Sequence, residues 1–169
     1  MRDDYYLDLA AAYVRGALPD APPGLGAEAL IGLGRARGLD LHTFKRSRIM
    51  PRVRAALSAV KALAPSDLLD IGSGRGAFLW PFVDEVPWLP VTGVDVDPGK
   101  ADLIGAVSAG GIAALSSQRA DAASLPFADG AFDAVTILEV LEHLKDPEAA
   151  AREAVRVARR AVVATVPSR

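Results

Sequence analysis

The sequence predicts an α/β fold in which helices cover both faces of a parallel sheet. Short apolar runs alternate with segments of helical spacing from Leu68 onward, which is the order of elements in such folds. These runs are continuously apolar, as expected of strands that are buried on both faces. A cluster of alternating glycines, Gly72 to Gly76, joins the first run to the helix after it. Together these features predict a doubly wound sheet with a ligand site at its carboxyl edge.

The first 40 residues are predicted to form a helical segment outside that sheet. Apolar residues follow helical spacing over residues 3–18, and residues 27–38 predict a second, shorter helix. Pro22 and Pro23 lie between them and exclude helix and sheet interiors. We therefore predict two units, an N-terminal helical cap over the site (1–40) and the sheet domain (41–169).

The next segment is basic. It carries Lys45, Arg46, Arg48, Arg52, Arg54 and Lys61. No acid lies between Asp40 and Asp67. Pro51 indicates the first turn of a helix that runs to about Leu63. Two interpretations stay open: a solvated helix face that keeps the domain soluble, or one or two cations that meet an anionic group of a ligand.

From residue 68 the sequence predicts strands that are separated by helices. The strands cover residues 68–71, 91–95, about 112–117, 132–138 and 161–166. The helices cover residues 77–86, 98 to about 109, and 147–160. Pro98 and Pro147 begin two of these helices. Proline is tolerated there because an N–H in the first turn has no partner inside the helix, so its absence costs no hydrogen bond. Right-handed crossovers between parallel strands then place ligands at the carboxyl ends of the strands.

Length and composition indicate one soluble domain. The chain has 169 residues and a net charge of −2, which favours neither a dedicated nucleic-acid binder nor an acidic tail. It has no cysteine, so disulfides, thiolate metal sites and a cysteine nucleophile are excluded. The sequence shows no signal peptide and no apolar run near the roughly 20 residues of a membrane span. The expected compartment is the cytoplasm, without membrane contact.

The glycine cluster predicts a nucleotide-type ligand, and the acids around it narrow the choice. Gly72, Gly74 and Ala77, with Asp95 beyond them, satisfy the permissive dinucleotide fingerprint. Asp70 would lie near the pyrophosphate of a dinucleotide, where repulsion would cost about 1 kcal/mol. The same carboxylate suits the ammonium or sulfonium group of S-adenosylmethionine, which carries no phosphate. Asp95 would accept hydrogen bonds from the ribose of either ligand, so an oxidoreductase that uses NAD stays open as the alternative that Asp70 disfavours.

Four stretches resemble the successive signature motifs of class I S-adenosylmethionine-dependent methyltransferases, of the type 11/12 kind. They are Leu68–Phe78, Val91–Asp97, Ala120–Asp133 and Thr136–Leu144. They occur in the family's order and spacing, and the resemblance covers roughly residues 49–167. It implies a Rossmann-like sheet in the order 3-2-1-4-5, with S-adenosylmethionine as methyl donor and S-adenosylhomocysteine as product.

The resemblance also implies the cofactor-binding residues. They are Asp70, Gly72, Ser73 and Gly74 at the methionine end, Asp95 at the ribose, Val96 beside the adenine, Asp121 and Ala122 at the adenine edge, and Leu138 closing the pocket. In such folds a cation from the preceding helix often meets the methionine carboxylate, and here Arg46 or Arg52 is the candidate.

Methyl transfer from a sulfonium needs positioning, and a general base only for a weak nucleophile. His143 is the candidate catalytic residue, because imidazole titrates near neutrality. If this segment is helical, Glu139, Glu142 and His143 share one face and could hold a magnesium-like cation. The pattern is similar to one in metal-dependent 2′-O-methyltransferases of small RNA and in ubiquinone-pathway O-methyltransferases. Because similar strings occur in small-molecule methyltransferases that use no metal, we assign no metal ligand.

The leading prediction is an enzyme that transfers a methyl group from S-adenosylmethionine to oxygen, nitrogen or carbon of a small molecule. Metal-assisted RNA ribose 2′-O-methylation is the alternative that the basic segment favours. The chain stops at Pro167-Ser168-Arg169, where the family's sheet continues into a β-hairpin, so the fifth strand would present an apolar edge. We expect a truncated fragment, or cover by a second copy or by the N-terminal helices. The missing hairpin favours a third hypothesis, a cofactor-binding module without activity.

Overall fold

In the part of the chain that the structure describes, five parallel strands form the centre of the fold. The computed structural model describes residues 6–46 and 49–166, so the predicted start of the first helix, Arg48 and the C-terminal tripeptide lie outside the described residues. The strands are β1 Leu68–Ile71, β2 Val91–Asp95, β3 Leu115–Arg119, β4 Phe132–Leu138 and β5 Ala158–Thr165. They pair in parallel in the order β3-β2-β1-β4-β5. The predicted Rossmann-like sheet of order 3-2-1-4-5 is confirmed.

Helices surround this sheet, and their starts follow from the sequence. Their bounds in the described residues are α1 Leu7–Ala17, α2 Ala27–Ala36, α3 Pro51–Leu63, α4 Leu79–Glu85, α5 Pro98–Ala109 and α6 Pro147–Val157. Proline occupies the first turn of α3, α5 and α6. Asp97 caps α5 by accepting from the Gly99 N–H at 2.9 Å, and Asp146 caps α6 by accepting from the Ala149 N–H at 2.8 Å. These caps satisfy backbone donors that have no partner inside the helix.

Two strand boundaries differ from the prediction. β3 covers 115–119 rather than 112–117, because the double glycine that ends α5 is followed by a turn. β5 begins at Ala158 rather than residue 161, because α6 passes directly into it. The basic pair Arg159 and Arg160, predicted to end the helix, therefore belongs to the strand. Arg160 Nη1 donates to the buried Asp133 carboxylate at 2.8 Å, which holds the start of β5 against β4.

Two apolar layers cover the faces of the sheet. On one face α3, α4 and α5 pack against Leu68, Val91 and Leu115. On the other face α6 and the segment after β3 pack against Leu69 and Ile137. This alternation of neighbouring strand residues between the faces explains why the strands read as continuous apolar runs.

The N-terminal helices join the first of these layers. α1 packs along α5 so closely that a Cβ at Gly16 would lie 1.9 Å from the Ala106 carbonyl oxygen. A Cβ at Gly110 would lie 1.7 Å from the Ala12 carbonyl oxygen. Arg15 then ties α1 to the start of α2 by donating to the Leu25 carbonyl at 2.7 Å. The core is continuous from α1 to the sheet, and the predicted boundary at residue 40 stays a prediction.

β5 stands at one edge of the sheet. Val163 packs into the layer that contains α3, and Val162 packs into the layer that contains α6. Both faces of this edge strand are therefore partly covered, while Arg159, Arg160 and Ala164 are exposed. Among the described residues, no helix has the length and apolar character required to cross a membrane.

Candidate cofactor site

A cavity of about 610 Å³ opens at the carboxyl ends of β1, β2 and β4. This volume is in the range of small-molecule sites. The predicted residues that line it are Gly72, Gly74, Asp95, Val96, Asp121, Ala122 and His143. Glu139, which was considered as a cation ligand, also lines it, and so do residues that were not predicted, among them Lys100, Val140, Leu144, Lys145 and Asp146. All of the lining residues belong to the range 71–146. The described part of the predicted N-terminal cap contributes none of them and packs against α5.

The glycine loop after β1 has a backbone that other residues rarely adopt. Gly72, Gly74 and Gly76 have φ angles of 69°, 56° and 78°, a region where a Cβ is strained. Space also requires Gly72, because a Cβ there would lie 2.5 Å from Val140 Cγ2. The chain can therefore bring its backbone against the cavity only with glycine at this position.

Asp95 ties β2 to the glycine loop. Its Oδ2 accepts from the Gly74 N–H at 2.9 Å, and its Oδ1 accepts from the Asp97 N–H at 3.0 Å. The side chain is buried. The carboxylate is thus fixed at the cavity wall by two backbone donors, and lone pairs remain on both oxygens for ribose hydroxyls.

Asp70 lies beneath the cavity rather than among the residues that line it. It is 3% exposed, and its Oδ1 accepts from Thr136 Oγ1 at 2.7 Å. Burial raises the pKa of Asp70 to about 6, against a lowering by the hydrogen bond from Thr136. Ser73 is also buried, and its hydroxyl donates to the Asp70 carbonyl at 3.1 Å. A carboxylate desolvated in this way favours a nearby cation.

Thr136 is a partner that the sequence analysis missed. In the sheet register it stands directly opposite Asp70. It is a hydroxyl residue inside the apolar strand β4, and it is fully buried. A polar residue in the middle of such a run was the signal that could have found it.

The loop has a second support from outside the sheet. Trp80 Nε1 donates to the Arg75 carbonyl at 2.8 Å, and the Thr43 hydroxyl donates to the same oxygen. Phe44 packs on Trp80 with ring centroids 5.1 Å apart. The segment that precedes α3 therefore braces the glycine loop from below without lining the cavity.

The residues predicted to contact the adenine line the cavity from two separate loops, one after β2 and one after β3. Val96 is 59% exposed at the end of β2, as an apolar face for a ring would be. Asp121 Oδ1 accepts from the Ala123 N–H at 2.9 Å, which orders the turn that carries Ala122. Leu138 packs into the core, and the next two residues line the cavity in its place.

The segment after β4 does not form the helix that would bring Glu139, Glu142 and His143 onto one face to hold a metal ion. Glu139 has φ 56°, a left-handed conformation, and the 3₁₀ turn Leu141–His143 begins two residues later. Glu139 therefore does not share a helical face with Glu142 and His143, and that prediction is wrong. Within the described part of the chain, no group of three His, Cys, Asp or Glu residues is arranged to hold a metal ion.

Glu139 pairs with a cation of the basic segment. Its Oε2 lies 3.0 Å from Arg52 Nε, whereas its Oε1 is buried and has no hydrogen-bond partner among the described residues. Two other cations of that segment pair with acids of α4, Arg46 with Asp84 and Lys61 with Glu85. Of these three cations, only Arg52 pairs with a residue that lines the cavity.

His143, the predicted catalytic residue, lines the cavity at its mouth. Its side chain is 77% exposed, and its Nε2 lies 3.9 Å from Glu142 Oε1. That separation is beyond hydrogen-bonding distance. The imidazole can reach a ligand in the cavity, but the Glu142 carboxylate does not fix its orientation.

The family model for the methyltransferase domain matches residues 69–164, more than half of the chain. The chain belongs to the class I S-adenosylmethionine-dependent methyltransferases. It is 32% identical over 126 residues to a malonyl-[acyl-carrier protein] O-methyltransferase of Geobacter sulfurreducens, a match that covers 72% of this chain and 45% of the relative. With a demethylmenaquinone methyltransferase of Thermus thermophilus the identity is 33%, over 62% of this chain and 47% of the relative.

Two solved structures share this fold. The YcgJ protein of Bacillus subtilis superposes with a TM-score of 0.55 at 26% identity, over 64% of this chain and 46% of that one. The [4+2]-cyclase SpnF superposes with a TM-score of 0.50 at 26% identity, over 63% and 42%. The chain thus spans less than half the length of these relatives.

Proposed function

We propose that this chain binds S-adenosylmethionine in the cavity and transfers its methyl group to oxygen, nitrogen or carbon of a small molecule. The carrying observation is the pair of buried carboxylates at the glycine loop, Asp70 and Asp95. Asp95 presents lone pairs at the cavity wall, where a ribose needs acceptors. Asp70 places a desolvated carboxylate under the loop, where a pyrophosphate would be repelled and an ammonium group attracted.

The proposed roles follow the geometry. The methionine end would rest on the loop formed by Gly72, Ser73 and Gly74, above Asp70. The adenine would lie between Val96 and the Asp121–Ala122 turn, whereas Leu138 packs into the core at the end of β4. When bound, the cofactor supplies a methyl group on a positively charged sulfur, which is already a good leaving group. The protein therefore contributes binding, orientation and exclusion of water.

Proton removal is needed only for some acceptors. His143 at the cavity mouth remains our candidate base for a hydroxyl acceptor. The relatives support a small-molecule acceptor but do not indicate which atom is methylated. One is named as an O-methyltransferase, and another, from Rauvolfia serpentina, as an ajmaline N-methyltransferase. We also propose a cytoplasmic location, without membrane partners, and retain a homo-oligomer that covers β5 as a hypothesis.

A second candidate is a cofactor-binding domain that does not transfer methyl groups. The similarity to SpnF favours it, because a protein with this fold carries the name of a cyclase. A fold alone does not determine its chemistry. Binding of the cofactor without methyl transfer to any acceptor would select this candidate.

Isothermal titration calorimetry with S-adenosylhomocysteine and with NAD tests the cofactor assignment. We expect S-adenosylhomocysteine to bind and NAD not to bind. The Asp121→Asn variant should weaken binding by about tenfold, because the amide offers a donor where the adenine amine needs an acceptor. Binding of NAD alone would overturn the proposal.

A further inference from the structure

The carbonyl group of Arg75, in the glycine loop, accepts from two side chains that the proposed cofactor contacts do not include. Trp80 Nε1 donates to this oxygen at 2.8 Å, and the Thr43 hydroxyl donates to it as well. The indole N–H also lies 3.3 Å from Thr43 Oγ1, so the three groups form a closed set. Trp80 is 1% exposed, and Thr43 is half-buried. Side chains from two other elements therefore fix the direction of the Arg75 carbonyl.

The same carbonyl belongs to the tight turn that presents the glycine loop to the cavity. The Gly76 N–H donates to the Ser73 carbonyl at 2.8 Å and closes this turn. On the cavity side, the Gly74 N–H donates to Asp95 Oδ2 at 2.9 Å. The turn is thus held at two points, by Asp95 at the cavity wall and by the two side-chain donors away from it. A loop that is fixed on both sides loses less conformational freedom when a ligand binds.

Aromatic contacts join this support to the N-terminal helix α1. Phe44 follows Thr43 and packs on Trp80 with ring centroids 5.1 Å apart. Tyr13 of α1 packs on the other partner of this pair, Phe44, with ring centroids 5.2 Å apart. None of these four described residues lines the cavity. The 3₁₀ turn His42–Phe44 is therefore fixed to α1 on one side and to the glycine loop on the other.

We propose that Thr43 is a positioning residue for the cofactor, and that its hydroxyl couples the N-terminal helices to the glycine loop. Without this hydroxyl the Arg75 carbonyl keeps only the indole donor. Cofactor binding then has to restore an orientation that the free protein holds less firmly. The inference rests on the proposed function, because it assigns S-adenosylmethionine to the loop. A bound cofactor must in turn strengthen the docking of the 3₁₀ turn, because coupling between two sites is reciprocal.

Calorimetric titration of three variants with S-adenosylhomocysteine tests the role of the hydroxyl. Thr43→Val preserves the shape of the side chain and removes the donor, so we expect affinity to fall about fivefold, which corresponds to one hydrogen bond. Thr43→Ser retains the hydroxyl and should bind within about twofold of the wild type. Thr92→Val is the matched control, because the hydroxyl that it removes lies 2.9 Å from Ser116 Oγ and has no contact with the loop. It should bind like the wild type.

Backbone hydrogen exchange gives a readout that a merely local structural contact would not move. The N–H groups of Phe44 and Lys45 make hydrogen bonds of 3.1 and 3.2 Å that hold the 3₁₀ turn. Saturating the wild-type protein with S-adenosylhomocysteine should slow their exchange about fivefold, although they lie outside the cavity. In Thr43→Val this protection should fall to within about twofold. The Arg37 N–H, which donates to the Leu33 carbonyl at the end of α2, should exchange equally with and without the ligand.

Three results would overturn the inference: equal affinity of Thr43→Val and the wild type, binding by Thr43→Ser as weak as that by Thr43→Val, or exchange at the turn that the ligand does not change. An equal loss in Thr92→Val would also overturn it, because the effect would then come from lower stability in general. The exchange measurement on the wild-type protein decides the matter if Thr43→Val does not fold. Failure of S-adenosylhomocysteine to bind the wild-type protein would instead overturn the proposed function, and the inference with it.

Discussion

The ends of β2 and β4 line the same cavity, but the carboxylates at the two ends differ in how completely they are hydrogen-bonded. Asp95, at the end of β2, has two backbone donors in an ordinary extended conformation. Glu139, directly after β4, has a left-handed backbone and one buried oxygen without a partner. The β2 end is therefore organised before any ligand arrives, which lowers the cost of binding. The β4 end instead carries a strained backbone and a buried acceptor without a partner, both of which cost folding free energy.

Asp70, at the end of β1, lies between these two cases. It has one hydrogen bond from Thr136, but its burial opposes ionisation. The contrast between the β2 end (the finished side) and the β4 end (the unfinished side) yields graded expectations. Changes to the finished side should cost stability or affinity, and changes to the unfinished side should cost little stability.

The largest effect is expected at Gly76, on the finished side. A Cβ there would lie 2.0 Å from Trp80 Nε1, and its φ is 78°. Gly76→Ala combines left-handed strain with overpacking, so we expect a loss of about 3 kcal/mol in the free energy of unfolding, measured with urea. Gly38→Ala is the control, because its φ is 80° with nothing within 4 Å of a Cβ. It should lose about 1 kcal/mol, and equal losses in the two variants would show that the contact with Trp80 is unimportant.

Asp70 should make the stability depend on pH. Because its pKa is raised from 3.8 to about 6, the folded state holds this proton more tightly than the unfolded chain does. The resulting stability is fully present below pH 4 and is lost as the pH rises through 6. Asp70→Asn keeps an acceptor for Thr136 and should raise the free energy of unfolding at pH 7 by about 2 to 3 kcal/mol.

Urea unfolding between pH 4 and pH 8 measures this difference. The wild-type protein should lose stability relative to Asp70→Asn across the range. Asp102→Asn, which removes an exposed acid of α5, should run parallel to the wild type. If Asp70→Asn also ran parallel, the buried carboxylate would have no unusual proton affinity.

Asp95 should control affinity for the cofactor product. In Asp95→Asn an amide N–H₂ replaces one oxygen that now accepts from a backbone N–H, either of Gly74 or of Asp97. We expect affinity for S-adenosylhomocysteine to fall by about 30-fold in calorimetry, which is about 2 kcal/mol. Asp97→Asn should change it by less than about twofold, since asparagine also caps a helix. A similar loss in both variants would assign the effect to α5 rather than to the ribose contact.

Much of the finished side could be predicted from the sequence, because its signals are local. Glycines at alternate positions, a strand before them and an acid after the next strand identify the loop and Asp95. The unfinished side could not be predicted in this way. The string Glu139 to His143 favours a helix by its residues, but the bond from the Glu139 N–H to Thr165 and the packing of Val140 on Gly72 fix a different backbone. Both constraints come from strands that are distant in sequence, and they override local preference.

The smallest effect, and the sharpest test of the comparison, is expected from Glu139→Gly. Glycine accepts the left-handed conformation and removes the unpaired oxygen, whereas the variant loses the ion pair with Arg52, whose side chain is 49% exposed. An exposed pair contributes little, so the free energy of unfolding should rise by about 1 kcal/mol or less. Ala64→Gly is the matched control, since Ala64 is the other described non-glycine residue with positive φ, at 44°, and it ends α3 away from the cavity.

Both variants relieve backbone strain, so both should unfold at equal or slightly higher urea concentration than the wild type. A loss of more than about 1 kcal/mol in Glu139→Gly would mean that the pair with Arg52 stabilises the fold beyond what an exposed pair contributes. The strained conformation of Glu139 would then be maintained for the packing of α3 against β4, and the two ends of the cavity would be equally complete without a ligand.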